Sequence, residues 1–199
     1  IRDSHISNLE NIINSCFLNV TNFTAKPYTS ALSALTDEEK NQGSVCIDIG
    51  AGTTSISVFI DGSIVYAKSL NLGGWYITND ISKELNTPFD QAEALKTLYG
   101  SALRGANDGE EIFQIPLIGG NDENRLSFSR SKLISIIKPR FWEILMHSKK
   151  CIEQSGYRDI SNKNTIITGG TMELPGSIEF AERILAVSYT HLTLPTKST

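Results

Sequence analysis

The sequence predicts an α/β fold, a mixed sheet flanked by helices with a smaller α+β subdomain inserted. Three observations predict it. The apolar run 45–49 meets Gly50-Ala51-Gly52-Thr53-Thr54, and an alternating strand leaves on the other side. Asp61-Gly62 then joins two alternating runs, 55–60 and 63–70, as a hairpin turn. Near the other end, the apolar strand 164–168 stops at Gly169-Gly170 and gives way to an amphipathic helix over 177–185.

The elements follow in order. Leu9, Ile12, Ile13 and Cys16 recur at helical spacing over 8–16, and 17–25 alternates loosely like a strand. Residues 30–35 are small and apolar, which suits a helix packed close to another element. Thr36 opens a capped, charged helical turn that ends near Gly43. After the three strands, Gly73-Gly74 precedes a helix over 77–85. Thr87 can cap the next helix and Pro88 suits its first turn. That helix turns Ala92, Leu95 and Leu98 inward and stops at Gly100. A polar loop covers 104–110. A strand follows over 111–118, with Pro116 at an edge or bulge, and Gly119-Gly120-Asn121-Asp122 turns the chain. From Ser129 or Ser131 a long helix carries Leu133, Ile136, Ile137, Phe141, Ile144, Leu145 and Ile152. Pro139 is expected to kink or split it, and Gly156 to end it.

A chain of 199 residues with 40% hydrophobic and 20% charged side chains has enough apolar material for a packed core. Its net charge of −4 gives no drive toward nucleic acid. Cys16, Cys46 and Cys151 lie far apart and read as small buried hydrophobes in a reducing compartment. His5, His147 and His191 lack metal-ligand spacing. No apolar run is long enough to span a membrane, and no signal peptide opens the chain. Ile1 suggests a missing start, and 188–196 reads like translated sequencing-adapter sequence. Residues 187–199 are therefore set aside as a non-native tail, and the chain reads as a fragment truncated at both ends.

The glycine loop carries the chemistry. Successive N–H groups in such a turn form an anion-binding concavity. The hydroxyls of Thr53 and Thr54 suit phosphate oxygens, with Gly50 and Gly52 giving close approach. Asp48 places a carboxylate where a hydrated Mg²⁺ would sit against the phosphates of ATP. The loop joins two strands, so it is neither a Walker P-loop nor a Rossmann turn. Gly169 and Gly170 offer a second bare-backbone corner. Taken alone, the first corner is equally compatible with a plain hairpin, and the second reads more simply as a tight strand–helix connection. Glu93 and Lys96 form an i,i+3 pair on one helix, which by itself reads as a solvated ion pair.

Hairpin loop first and strand-to-helix corner second, with an ExxK pair between them, resemble the actin/Hsp70/sugar-kinase ATPase superfamily. A finer similarity is to the FtsA family of bacterial cell-division proteins. It rests on Ile47-Asp48-Ile49-Gly50-Ala51-Gly52-Thr53-Thr54, Gly73-Gly74 with Ile77-Thr78-Asn79-Asp80-Ile81, and Thr87-Pro88 with Ala92-Glu93-Ala94-Leu95-Lys96. Tyr99-Gly100-Ser101-Ala102, Ile137-Lys138-Pro139-Arg140 and Ile166-Ile167-Thr168-Gly169-Gly170 complete it, collinear over about residues 5–186. One position departs: Ser55 stands where many superfamily members carry aspartate.

The resemblance implies an actin-like (ribonuclease H-like) fold that binds ATP and Mg²⁺, with at most weak ATPase activity. The first phosphate loop and a C-terminal membrane-binding helix would lie outside this chain, leaving poor ATP binding and no lipid binding. Residues 1–43 would end the first lobe and lead into the second. Residues 44–70 and 164–186 would form the nucleotide-binding subdomain, and 71–163 the smaller one. Asp48, Gly50, Gly52, Thr53 and Thr54 would hold the phosphates and the ion. Gly169, Gly170, Glu93 and Lys96 would surround the adenosine. The resemblance further implies self-association into filaments on the inner face of the cytoplasmic membrane at the division site. The partner would be the C-terminal peptide of FtsZ, received by a basic, apolar groove for which Lys132, Lys138 and Arg140 are candidates. A metabolite kinase or an Hsp70-like ATPase of the same superfamily is the alternative, although no further acid beside Asp48 presents itself as a kinase base.

Overall fold

The computed structural model describes residues 3–116, 125–161 and 164–185. Its centre is a four-stranded mixed sheet in the order β3-β2-β1-β6. Strand β1 (Ser44–Ile49) pairs antiparallel with β2 (Thr54–Ile60), and β2 pairs antiparallel with β3 (Ser63–Leu70). Asp61 and Gly62 both take positive φ in the β2–β3 turn, as the Asp-Gly signal requires. Strand β6 (Thr165–Thr168) lies parallel to β1, with Asp48 opposite Thr168. The ends of β1 and β6 therefore emerge at one edge of the sheet.

Alternation along β1 divides the sheet into two faces. Val45, Ile47 and Ile49, with Ile56 and Val58 of β2, face the larger core. There they meet Ile77 and Ile81 of α4 (Gly74–Glu84), Ala92 and Leu95 of α5 (Phe89–Tyr99), and Leu133, Ile137, Phe141 and Ile144 of α6 (Arg130–Ser155). Phe180 and Ala181 of α8 (Ser177–Leu185) close it. On the other face Cys46 and Phe59 pack with Ala31, Ala34 and Leu35 of α2 (Lys26–Ala34) and the residue after it. The small side chains of α2 are what allow it to lie against the strands.

Helix α1 (Asp3–Ser15) buries none of its residues, whereas α3 (Asp37–Gln42) starts on a full capping box between Thr36 and Glu39. Segment 17–25 forms no strand: Phe17 takes φ 61° and the following residues join no ladder. Pro88, not Thr87, occupies the N-cap of α5, and Leu98 is 70% exposed because the buried stripe of that helix runs through Ala92 and Leu95. Strand β4 (Ile112–Pro116) pairs antiparallel with β5 (Arg125–Ser129), a strand absent from the sequence reading, to make a separate two-stranded sheet. Both strands are edges there, which accommodates Pro116. Pro139 does not split α6, which runs as one helix from an Ser129 cap to left-handed Gly156. Cys16 is exposed, contrary to its reading as a buried hydrophobe, because it follows α1, a helix that buries none of its side chains among the described residues. The short helix α7 (Arg158–Ser161) precedes β6. The expected turn at 119–122, the end of the strand at 117–118 and the tail 187–199 lie outside the described residues.

Candidate functional site: a cleft between two glycine corners

The parallel pairing of β1 and β6 brings the two glycine corners together. Thr171 Oγ1 donates to the Gly50 carbonyl at 3.1 Å, across 121 positions of sequence. Gly50 N–H donates to the Thr53 carbonyl (3.0 Å), which closes the hairpin loop. The loop is fixed from its other side by α4, whose first amides, Gly74 and Trp75, donate to the carbonyls of Gly50 (3.0 Å) and Ala51 (2.8 Å). Gly169 takes φ 101°, and a Cβ there would meet Asp48 Oδ1 and the Ile49 carbonyl at 2.5 Å, so only glycine fits.

A cleft of ≈ 350 Å³ opens between these parts. Ala51, Gly74, Glu93, Lys96, Gly170 and Thr171 are among the residues that line it. That volume lies within the range of small-molecule sites, and glycine corners at the carboxyl ends of neighbouring parallel strands are where open α/β sheets take ligands.

Glu93 and Lys96 form more than a solvated pair. The Lys96 side chain is 12% exposed, and its ammonium donates to Glu93 Oε2 (2.7 Å), Thr78 Oγ1 (2.8 Å) and the Gly74 carbonyl (3.3 Å). Thr78 also hydrogen-bonds Glu93. Burial pushes the Glu93 carboxyl up, but the hydrogen bonds from Lys96 and Thr78 and the Lys96 charge outweigh it and hold the group below its ordinary value. The pair thus ties α5 to the start of α4 at the wall of the cleft.

Asp48, only 7% exposed, sits at the end of β1 on the face toward α2. Its Oδ2 accepts from Ser30 Oγ at 2.7 Å and lies 3.0 Å from Lys26 Nζ. Burial pushes the neighbouring Cys46 thiol up to about 12, with the Asp48 charge adding to the effect. Ser55 stands directly across from Asp48 on β2, buried, its hydroxyl without a partner among the described residues. No group of three or more acidic, histidine or cysteine side chains among the described residues could hold a metal ion. A single carboxylate fits an ion held mainly by water and ligand phosphates, not one caged by the protein.

The remaining predicted residues divide. Gly50, Gly52 and Thr53 form the loop beside the cleft, with Trp75 packed close to Gly52. Thr54 is fully buried and gives its hydroxyl to the Leu72 carbonyl (2.7 Å), so the structure does not bring that hydroxyl to the cleft. Lys132 and Arg140 line a second groove of ≈ 420 Å³ between α4 and α6, together with Lys83, Ile136 and Pro139. Lys138 points elsewhere, with its ammonium 5.5 Å from the Phe180 ring centre. Lys26, Ser30, Thr78 and Thr171 were missed in the sequence. A lysine opening a helix of small residues is the one signal that could have flagged Lys26.

Comparison with known proteins decides the family. The profile described as "Cell division protein FtsA" matches residues 45–197, most of the chain. The chain belongs to the FtsA family. It is 40% identical over 182 residues to "Cell division protein FtsA" of Rhizobium meliloti (strain 1021), covering 91% of this chain and 41% of that relative. Against the FtsA of Bacillus subtilis (strain 168) it is 32% identical over 180 residues, covering 90% of this chain and 40% of the relative. The chain thus spans about two fifths of the FtsA relatives it matches. Among solved structures, MreB 5 of Spiroplasma citri bound to AMPPNP superposes with a TM-score of 0.73 at 19% identity, over 96% of this chain and 60% of that one. The expected actin-like fold is therefore shown. No helix among the described residues is long and apolar enough to cross a membrane.

Proposed function

We propose that the protein to which this chain belongs is an ATP-binding, actin-like cell-division protein, with its nucleotide in the cleft between the two glycine corners. The Thr171–Gly50 hydrogen bond carries this reading, because it joins the corners that would hold the two ends of one nucleotide. Gly52 and Thr53 would meet the phosphates through backbone amides, with Gly50, whose own amide closes onto Thr53, shaping the loop that presents them. Asp48 would hold Mg²⁺ through water. Gly169 and Gly170 would flank the adenosine, and Glu93 and Lys96 would stand at its ribose. In this reading 44–70 and 164–186 bear the nucleotide, and 71–163 form the smaller subdomain.

The same reading places the FtsZ C-terminal peptide in the groove between α4 and α6. An acidic and apolar peptide suits Lys83 and Lys132 beside Ile136 and Pro139, in a groove that Asp80 and Glu84 also line and where Arg140 is already engaged by Asp80. Self-association into filaments and residence at the inner face of the membrane belong to the same role.

Titration of a fluorescent ATP analogue into the full-length protein to which this chain belongs tests the nucleotide assignment. Saturable binding, displaced by unlabelled ATP and weakened about tenfold or more by Lys96→Ala, is expected for loss of a charged contact. No saturable binding, or binding indifferent to Lys96→Ala and Gly170→Val together, rules the cleft out.

A further inference from the structure

Lys26 has no part in the assignments above, yet it stands over the phosphate loop. Its ammonium lies 3.0 Å from Asp48 Oδ2, while its side chain keeps 49% of its surface exposed. The space that a side chain at position 50 would enter is already held by that ammonium, 2.9 Å from the Cβ position of Gly50. Ser30, one turn further along α2, fixes the same carboxylate oxygen from its protected side. The lysine is thus ion-paired at the loop while its side chain stays half exposed, and an ammonium carries three donors. The Asp48 carboxylate, proposed above to hold metal-bound water, already faces a protein cation. Across the ladder, the buried Ser55 offers a hydroxyl in place of a second carboxylate.

Resting on the nucleotide reading, we propose that Lys26 is a phosphate-binding residue: a tethered cation that contacts the terminal phosphate oxygens and supplies part of the charge neutralisation otherwise left to a divalent ion. An ammonium beside the anion-binding loop adds charge-assisted hydrogen bonds to the phosphates without an ion having to be recruited. When phosphate oxygens arrive, the ammonium shares its donors between them and Asp48. Nucleotide binding should then survive removal of divalent ions to an unusual degree, and that tolerance should belong to position 26.

The test measures the affinity of the full-length protein for the fluorescent ATP analogue in Mg²⁺ and in EDTA, for wild type, Lys26→Met and Lys26→Arg. Wild type is expected to bind with less than about a threefold difference between the two conditions. Lys26→Met is expected to lose about tenfold or more in EDTA, and distinctly less in Mg²⁺, as befits a lost charge-assisted contact. Lys26→Arg keeps the charge and is expected to keep the EDTA tolerance. Thermal melting without nucleotide confirms that both variants fold. If Lys26→Met weakens binding equally in Mg²⁺ and EDTA, or only lowers the melting temperature, Lys26 is a structural partner of Asp48 and the proposal is overturned. If wild type binds only with Mg²⁺ present, the proposal falls while the nucleotide reading stands. Failure of wild type to bind in either condition removes both.

Discussion

Thr171 and Gly50 are joined by a hydrogen bond of 3.1 Å from side-chain hydroxyl to main-chain carbonyl. The contact exists because β6 runs parallel to β1 and ends beside it, so the turn after each strand opens on the same edge of the sheet. A parallel pair needs a long crossover, and here the crossover comprises everything from β2 to α7. The intervening chain supplies α4, whose first amides hold the Gly50 loop from the opposite side, and α5, which brings Glu93 and Lys96 to the cleft. The sheet topology thus creates the site, and the inserted helices wall it.

Thr171→Val removes the bridging donor while keeping the shape of the side chain. The Gly50 carbonyl loses one partner, which costs about 1 kcal/mol. For a chain of this size, a fall in melting temperature of about 2–4 °C is expected by calorimetry. Nucleotide affinity is expected to fall about fivefold or more as the two corners separate. Unchanged values for both would show that the corners hold their places without this bond.

Neighbouring glycines at the second corner should respond in opposite ways to alanine. At Gly169, positive φ and contacts of 2.5 Å with Asp48 and Ile49 make any side chain disruptive. Gly169→Ala is expected to destabilise by more than about 2 kcal/mol in urea unfolding. At Gly170 a Cβ meets nothing within 4 Å, so the protein loses no packing. Gly170→Ala is expected to stay within about 0.5 kcal/mol of wild type. Its larger relative Gly170→Val should block the cleft to nucleotide. Equal destabilisation by the two alanine variants would contradict this account of the corner.

Turn chemistry made most of this legible in the sequence. Asp61-Gly62, the glycine loop after Ile49 and the corner after Thr168 are local signals, and the structure carries a turn at each. Relations that join distant residues were not legible. Segment 17–25 has strand-like alternation but no neighbouring strand to complete its hydrogen bonds, so alternation alone could not make it a strand. Strand β5 is short and exists through its pairing with β4. Lys26 and Asp48 meet only because α2 folds back over β1, and Arg140 reaches Asp80 across 60 positions. Thr54 reads as a phosphate ligand from its place in the motif, yet the inward face of β2 turns its hydroxyl to Leu72.

Acid should weaken the fold through Glu93. Its carboxyl lies below the ordinary value in the folded state, so the unfolded chain binds the proton more readily. The stabilisation is therefore complete above the ordinary glutamate value of about 4.3 and disappears as pH falls through the lower folded value. Glu93→Gln abolishes the titration while keeping the shape. Urea midpoints followed from pH 7 to pH 3 are expected to fall less steeply for the variant than for wild type. Parallel curves would mean that the Lys96–Glu93–Thr78 cluster does not contribute to stability.

The second groove separates residues that hold the fold from residues free to bind. Arg140 forks onto Asp80 (2.6 and 3.1 Å) and also reaches Glu143 (2.5 Å), so it ties α6 to α4. The Asp80 hydrogen bond raises its already high pKa first, burial opposes this, and the Asp80 and Glu143 charges add to the rise, so it stays charged at any working pH. Lys132, half exposed, has Glu84 at 3.9 Å as its ion-pair partner among the described residues, a pair of negligible strength. Lys138, on the far side near Phe180, serves as a control. Arg140→Ala is expected to lower stability by about 1–2 kcal/mol, because it strands Asp80 in a partly buried position. Lys132→Glu is expected to leave stability within about 0.5 kcal/mol of wild type. In anisotropy titrations with a labelled FtsZ C-terminal peptide, Lys132→Glu should weaken binding about tenfold, chiefly at low salt, while Lys138→Glu should leave it unchanged. A loss with Lys138→Glu but not with Lys132→Glu would move the peptide off the α4–α6 groove and onto the α6–α8 side.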